Sequence, residues 1–355
     1  MSTAMTISQQ IDLLVDSMVS IPTNKNYWLI RTQAGTLYDE FRSNDFVALE
    51  HFEVPLLFLN QIKDLSSDQK NENIKRYVKD YYQKKVAVSP TEELTQHKTS
   101  LIASQIYRFV YELKKGDTVI IPSSNSDYIS FGVVTESFIA GANADLNSTI
   151  LNQYTLKKRV RWIKEIARKD VEPYLFRIFT AHQAINDIGQ YADIIERSVK
   201  DLYVLDDEAH LVINVGADNI SATNLFGLGC DILGLIDAVA KEFGLDVKSS
   251  DLEVAININS PGKIDLKSKI RKTTIIAGII LFICGGGYEG HNGTKISTPG
   301  LPAIVETIFN FIKTNKESAL KEKIFEQYKD SLQVKQPEDM ILLLKQVSDN
   351  KDLPK

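Results

Sequence analysis

Apolar residues in the first segment, Ile7, Ile11, Leu14, Val15, Met18 and Val19, recur at helical spacing, which predicts an amphipathic helix over 7–19. Ile21-Pro22-Thr-Asn24 ends it. From Tyr27 the pattern shortens, predicting strands at 27–32 and 46–50 around a turn at Gln33-Ala-Gly35. Residues 55–85 and 91–113 return to a helical period, with charge on one side and Leu, Ile, Tyr and Phe on the other. Strands follow at 118–122 and 128–136, joined by the polar tip Ser123-Ser-Asn-Ser-Asp127. Small polar residues over 139–153 predict an exposed loop, 157–166 a further strand, and 171–197 a helical stretch.

The second half has a different texture. A strand at 210–215, a helix at 222–243 dense in Leu, Ile and Gly, and a strand at 252–259 stopped by Ser260-Pro-Gly262 make a small α/β or α+β unit. The basic stretch Lys267-Ser-Lys-Ile-Arg-Lys272 then leads into sixteen uncharged residues, 273–288. As a helix these span about 24 Å, against the roughly twenty residues a bilayer normally requires. Lys269, Arg271 and Lys272 would mark a cytoplasmic end. A short membrane segment and a buried helix therefore both fit the run. Amphipathic helices at 303–313, 316–329 and 337–347 complete the chain, with a polar tail from Ser348.

A chain of 355 residues is expected to hold two domains. Its 43% hydrophobic and 25% charged residues are those of a globular protein. The net charge of −5 argues against a uniformly basic nucleic-acid coat and leaves room for a local one. Cys230 and Cys284 lie in apolar runs without metal-ligand neighbours, which suits buried free thiols in a reducing cytoplasm. Residues 1–21 lack the basic start and apolar core of a secretory signal, so a cytoplasmic protein is expected.

Three spaced segments stand out. They are Asn26-Tyr-Trp-Leu-Ile-Arg31 with Tyr38-Asp-Glu-Phe41, Lys115-Gly-Asp-Thr-Val-Ile-Ile-Pro-Ser123 with Phe131-Gly-Val-Val134, and Arg159-Val-Arg-Trp-Ile163. Together, over about 25–180, they resemble the N-terminal recognition module of Mrr-type restriction proteins, a PUA-like or EVE-like barrel. The resemblance implies a PUA-like β-barrel with a helical insert; with the small α/β unit, apolar helix and C-terminal helices read from the pattern of the second half, an α+β protein is expected. The corresponding divisions are 1–24, 25–180, 181–266, 267–290 and 291–355. It also implies recognition of a nucleic-acid feature or nucleotide, in the setting of bacterial antiviral defence.

Such a reader stacks a base on an aromatic ring and sets cations against phosphates. Tyr27, Trp28 and Arg31 are the candidates on the first strand, where alternation separates Trp28 from Tyr27 and Arg31. A core role for Trp28 fits the same pattern. Ser123 and Ser124 at the hairpin tip, with Asn125 and Asp127, can hydrogen-bond a base or simply form the turn. Seven cations, Lys157, Lys158, Arg159, Arg161, Lys164, Arg168 and Lys169, stand against Glu165, Asp170 and Glu172. On a strand, Lys157, Arg159 and Arg161 share one face about 7 Å apart, close to phosphate spacing. A solvated edge that blocks strand pairing accounts for them equally.

Catalytic patterns are weak. Gln333-Val-Lys335 has nuclease-like spacing in a helical tail without a paired strand. His51, His97, His182, His210 and His291 are scattered without ligand spacing. Val215-Gly-Ala-Asp-Asn219 lacks the further glycines and lysine of a phosphate loop. No cofactor or metal is expected. The reading is a sensor–effector with a nucleic-acid or nucleotide ligand. It acts by homo-oligomeric assembly or membrane perturbation through 273–288. The alternatives are a soluble oligomeric binding module and a nuclease or nucleotide hydrolase with an unfamiliar site.

Overall fold

The computed structural model describes residues 20–49, 54–88, 95–136, 154–206, 208–215, 221–243, 246–257, 262–269 and 272. The helices expected at 7–19 and across 303–347, the loop at 139–153 and the apolar run 273–288 lie outside the described residues. The chain is α+β and divides into two units, Asn24–Ile195 and Met1–Thr23 with Glu196–Lys355.

The unit Asn24–Ile195 is built on a curled, half-barrel sheet. Its strands are β1 (Tyr27–Ile30), β2 (Phe46–Ala48), β3 (Thr118–Pro122), β4 (Tyr128–Glu136), β5 (Lys157–Ala167) and β6 (Ile185–Asp187), in spatial order β2-β5-β4-β3-β1-β6. The β1–β3 pair is parallel and the others are antiparallel. Helix α1 (Tyr38–Ser43) lies between β1 and β2 in the chain. Helices α2 (Leu56–Ile62), α3 (Ser67–Val88) and α4 (Gln96–Tyr107) lie between β2 and β3. Thr95 caps α4, its hydroxyl accepting the Lys98 N–H at 3.2 Å. At the far end α4 widens into a π turn, Arg108–Glu112.

Ile74, Val78 and Tyr82 on α3, and Ile102, Ile106 and Phe109 on α4 and its π turn, recur every three or four residues and form one core with the sheet. Trp28, Ile30, Val119, Ile121, Val134 and Val160 are the sheet's contribution. Each such buried side chain contributes about 1.5–3 kcal/mol. Alternation sends Tyr27, Leu29, Ile120 and Phe131 to the opposite face, where they too are buried. There a 3₁₀ stretch, Pro173–Thr180, meets the strand ends: Arg31 Nη1 donates to the Phe179 carbonyl at 2.9 Å. Burial on both faces explains why β1 and β3 read as almost continuous apolar runs.

Helix α1 is latched to the helical face of β4 and β5. The Tyr38 hydroxyl lies 2.6 Å from both Ser130 Oγ and a Glu165 carboxylate oxygen. Burial and the Glu165 bond hold that phenol well above its ordinary range. Trp162 Nε1 donates to the Phe41 carbonyl at 3.2 Å, and the Arg42 guanidinium sits over the Trp162 ring. The indole lies against Gly132, where an added Cβ would stand 2.4 Å from Val160 Cγ1 and 2.7 Å from Trp162 Cε3.

The stretch expected to be helical over 171–197 is instead the 3₁₀ segment, strand β6 and helix α5 (Ala192–Val199). Pro173 starts the 3₁₀ turn, and the open side of β1 captures 185–187 through the pairs Trp28↔Asp187 and Ile30↔Ile185. Sheet pairing here overrides a helical apolar period.

The other unit holds an antiparallel sheet of β7 (Leu202–Leu205), β8 (Glu208–Val215), β9 (Glu253–Asn257) and β10 (Gly262–Lys269), in order β7-β8-β10-β9. Helix α6 (Ala222–Phe243) connects β8 to β9 in sequence, and its Cys230, expected to be buried, is exposed. Within the sheet, buried His210 Nδ1 lies 3.1 Å from Asp265, and its ring stacks on Tyr203 at 4.7 Å. Lys269, expected to mark the cytoplasmic end of a membrane helix, belongs to β10, as does Lys267, whose Nζ sits 3.1 Å from carboxylates of Glu208 and Glu253. Among the described residues no helix is long and apolar enough to cross a membrane.

Both tryptophans of the chain lie within Asn24–Ile195, so tryptophan fluorescence follows that unit alone. In urea, Gly132→Ala is expected to lose about 1–3 kcal/mol through overpacking. Gly116→Ala, where φ is +95° and no atom lies within 4 Å of an added Cβ, should lose only the left-handed backbone cost, about 1 kcal/mol. Equal losses would show that the Trp162 contact does not constrain the sheet.

Candidate nucleic-acid interface

The first expected aromatic pair proves to be structural. Tyr27 and Trp28 are each only 3% exposed, so neither ring presents a face for a base. Trp28 Nε1 donates to Asp117 Oδ2 at 3.1 Å, and Lys114 N–H reaches the same oxygen at 2.8 Å. The other oxygen accepts from Asn26, through its N–H at 3.1 Å and its amide at 3.4 Å. Asp117, itself buried, thereby joins the start of β1 to the turn that begins β3. This corrects the expectation of an aromatic cleft at 27–28: the indole needs its donor satisfied in the interior, and a carboxylate does it.

Arg31 and the serines are likewise occupied. Arg31, on the same face as Tyr27, spends its guanidinium on Phe179. Ser123 Oγ accepts the Tyr128 N–H at 2.8 Å and closes the β3–β4 hairpin, whose tip places Asn125 and Ser126 at positive φ. Ser124 packs its backbone against Gly35, where an added Cβ would come within 2.1 Å of Ser124 N. These residues hold the strand ends together and are turn formers.

Strand β5 separates the expected cations into two groups. Lys158, on the helical face, is 1% exposed and donates Nζ to the carbonyls of Val110 and Leu113, over the Phe109 ring. It thus satisfies carbonyls at the C-terminal end of α4 and its π turn, where a cation is favoured. Burial pushes this ammonium down to about 8, with the Asp117 charge opposing. Lys157, expected to start a ladder of phosphate contacts, is only 3% exposed, and burial lowers its pKa too. That position is corrected: the beginning of β5 is enclosed, and pairing with β2 (Ala48↔Lys157) holds it there.

Further along, the strand opens to solvent. Pairing with β2 ends at Phe46↔Arg159, and beyond it Arg161, Ile163, Lys164 and Glu165 are exposed. Arg159 is partly exposed, with Nε 3.9 Å from Glu136. Arg161 stands opposite Val133 on β4, but Phe131 stands opposite Lys164, because the register shifts between Phe131 and Gly132. This bulge expels Ile163, which is 42% exposed, and returns Lys164 to the face of Arg159 and Arg161. Strict alternation missed Lys164 for that reason. Arg168 follows at the strand end, donating to the Asn125 carbonyl at 3.1 Å and lying over Phe176.

The Lys158 geometry predicts a pH dependence. A lysine whose folded pKa is about 8 binds fewer protons than the unfolded chain up to the ordinary 10.5. Its contribution to stability therefore rises with pH across that window and is flat below it. Urea unfolding across the window should show this rise in the natural protein and lose it in Lys158→Met. Parallel profiles would refute the assignment.

Residues 28–186 match the family model described as Domain of unknown function (DUF8426). No curated protein and no solved structure matches the chain.

Proposed function

We propose that Asn24–Ile195 is a PUA-like reader of nucleic acid and that the rest of the chain turns its occupancy into assembly. The curled six-strand sheet with a helical insert between β2 and β3 supports the PUA-like assignment. The observation that carries the function is the cationic strip on one face of β5, with Arg159 partly exposed where β2 pairing ends and Arg161 and Lys164 exposed beyond it. Residues two apart on a strand repeat at about 7 Å, so the strip matches successive phosphates of an extended strand. In a chain whose net charge is −5, that patch localises an anionic ligand instead of coating the protein with it. The resemblance to restriction-system readers extends the proposal to antiviral defence, with foreign or modified nucleic acid as the ligand. The uncharged run 273–288 is the segment through which the second half would self-associate or engage a membrane.

Charge reversal at Arg159 and Arg161 should weaken binding of a labelled oligonucleotide at least ten-fold. The salt slope should fall by about 0.7 for each single-strand phosphate that the variant no longer neutralises. Unchanged binding by a folded double variant would leave the strip as edge protection only. For the second half, sedimentation with and without oligonucleotide should show ligand-dependent assembly that deletion of 273–288 abolishes. Membrane fractionation of the same pair separates self-association from membrane engagement.

A further inference from the structure

We propose that the 3₁₀ segment Pro173–Thr180 carries a base-stacking platform for single-stranded nucleic acid, made by Tyr174 and Arg177 and joined to the β5 strip by Arg168. The proposal rests on the reading above and names the part of the ligand that the strip leaves unread. A 3₁₀ helix has three residues per turn, so side chains three apart eclipse one another. Leu175 and Ile178 form the buried column, which is all that packing requires of this segment. Tyr174 and Arg177 form a second column facing outward. Tyr174 is 52% exposed, and the Arg177 guanidinium lies 4.5 Å from its ring centroid. Tyr191 flanks the same ring at 5.8 Å, tilted by 55°.

The neighbouring cation connects this platform to the strip. Arg168 follows the end of β5, and its guanidinium lies 4.8 Å from the ring of Phe176 in the 3₁₀ segment Pro173–Thr180. Tyr128, 51% exposed, stands opposite Ala167, the residue before Arg168. Among the described residues, neither Arg168 nor Arg177 forms an ion pair with a carboxylate. Arg177 thus has its donors open to phosphate, while Arg168 spends Nη1 on the Asn125 carbonyl and keeps its other donors, each guanidinium standing over a ring. Within 159–177, six cations stand against Glu165, Asp170 and Glu172. Of these acids Glu165 is engaged by Tyr38 and Arg42, and Glu172 is buried.

Charge selects a polyanion, and exposed rings select one whose bases are unpaired. A duplex hides its base faces in the stack, whereas a single strand offers them to aromatic side chains. A guanidinium standing over one side of such a ring adds a cation to the platform and leaves the other side for a base. A cationic ladder beside exposed rings therefore fits an extended single strand, its phosphates along β5 and a base on Tyr174.

The test uses the full-length chain and fluorescence anisotropy with three labelled probes of equal length: oligothymidylate, the same backbone made abasic, and a duplex. The natural protein should bind oligothymidylate most tightly. Tyr174→Ala should weaken oligothymidylate about ten-fold and leave the abasic strand unchanged. Arg177→Gln should act in the same direction, and Arg161→Gln should weaken both single strands alike. Urea unfolding by tryptophan fluorescence establishes that each variant is folded. If folded Tyr174→Ala binds oligothymidylate like the natural protein, or weakens both single strands equally, the platform is overturned and the strip stands or falls on Arg161. Failure of the natural protein to bind any of the three probes overturns the platform and the proposed function together.

Discussion

The buried carboxylate of Asp117 is the constraint on which the unit Asn24–Ile195 depends. Two backbone N–H groups, the Asn26 amide and the Trp28 indole converge on it, from chain segments separated by about ninety residues. It holds β1 parallel to β3, an arrangement that needs a long crossover, and the crossover supplies α1 through α4. Burial of a carboxylate is costly unless its lone pairs are satisfied. Here the satisfaction comes from the turn and strand that the fold must join, so the cost of burial becomes a demand for one topology.

Lys158 plays the complementary part. It carries a cation into the same core and meets the carbonyls at the end of the π turn, fixing where the helical insert stops against the sheet. With α1 latched through Tyr38, Trp162 and Arg42, the helical face of the sheet is closed. The opposite face of β5 and the strand ends beside Pro173–Thr180 carry the exposed cations and rings on which the proposed site rests. The β5 bulge matters most there, since it substitutes an exposed lysine for an isoleucine in the cationic row.

Much of the strand arrangement was legible. The strands expected at 118–122 and 128–136 form as Thr118–Pro122 and Tyr128–Glu136, because apolar runs bounded by a Gly-Asp turn and a serine-rich tip leave few alternatives. The helical insert over 55–113 was legible from its period. Strand β6 was not, since three residues paired to a free edge carry no period of their own. Nor was β10, whose Lys269 reads as a membrane flank until its strand is seen paired with β8 and β9.

The candidate site was legible as a composition and not as a geometry. By itself the sequence determined that 157–169 is locally basic and that aromatic residues lie near both its flanks, because charge and ring content are properties of the residues themselves. Only the tertiary structure decided which of those residues face solvent. Lys157, Lys158, Tyr27 and Trp28 are enclosed, while Arg161, Lys164, Tyr128 and Tyr174 are not. The reason is physical: exposure depends on what packs against a strand and on where a bulge shifts its register, and both involve contacts between residues far apart in the chain.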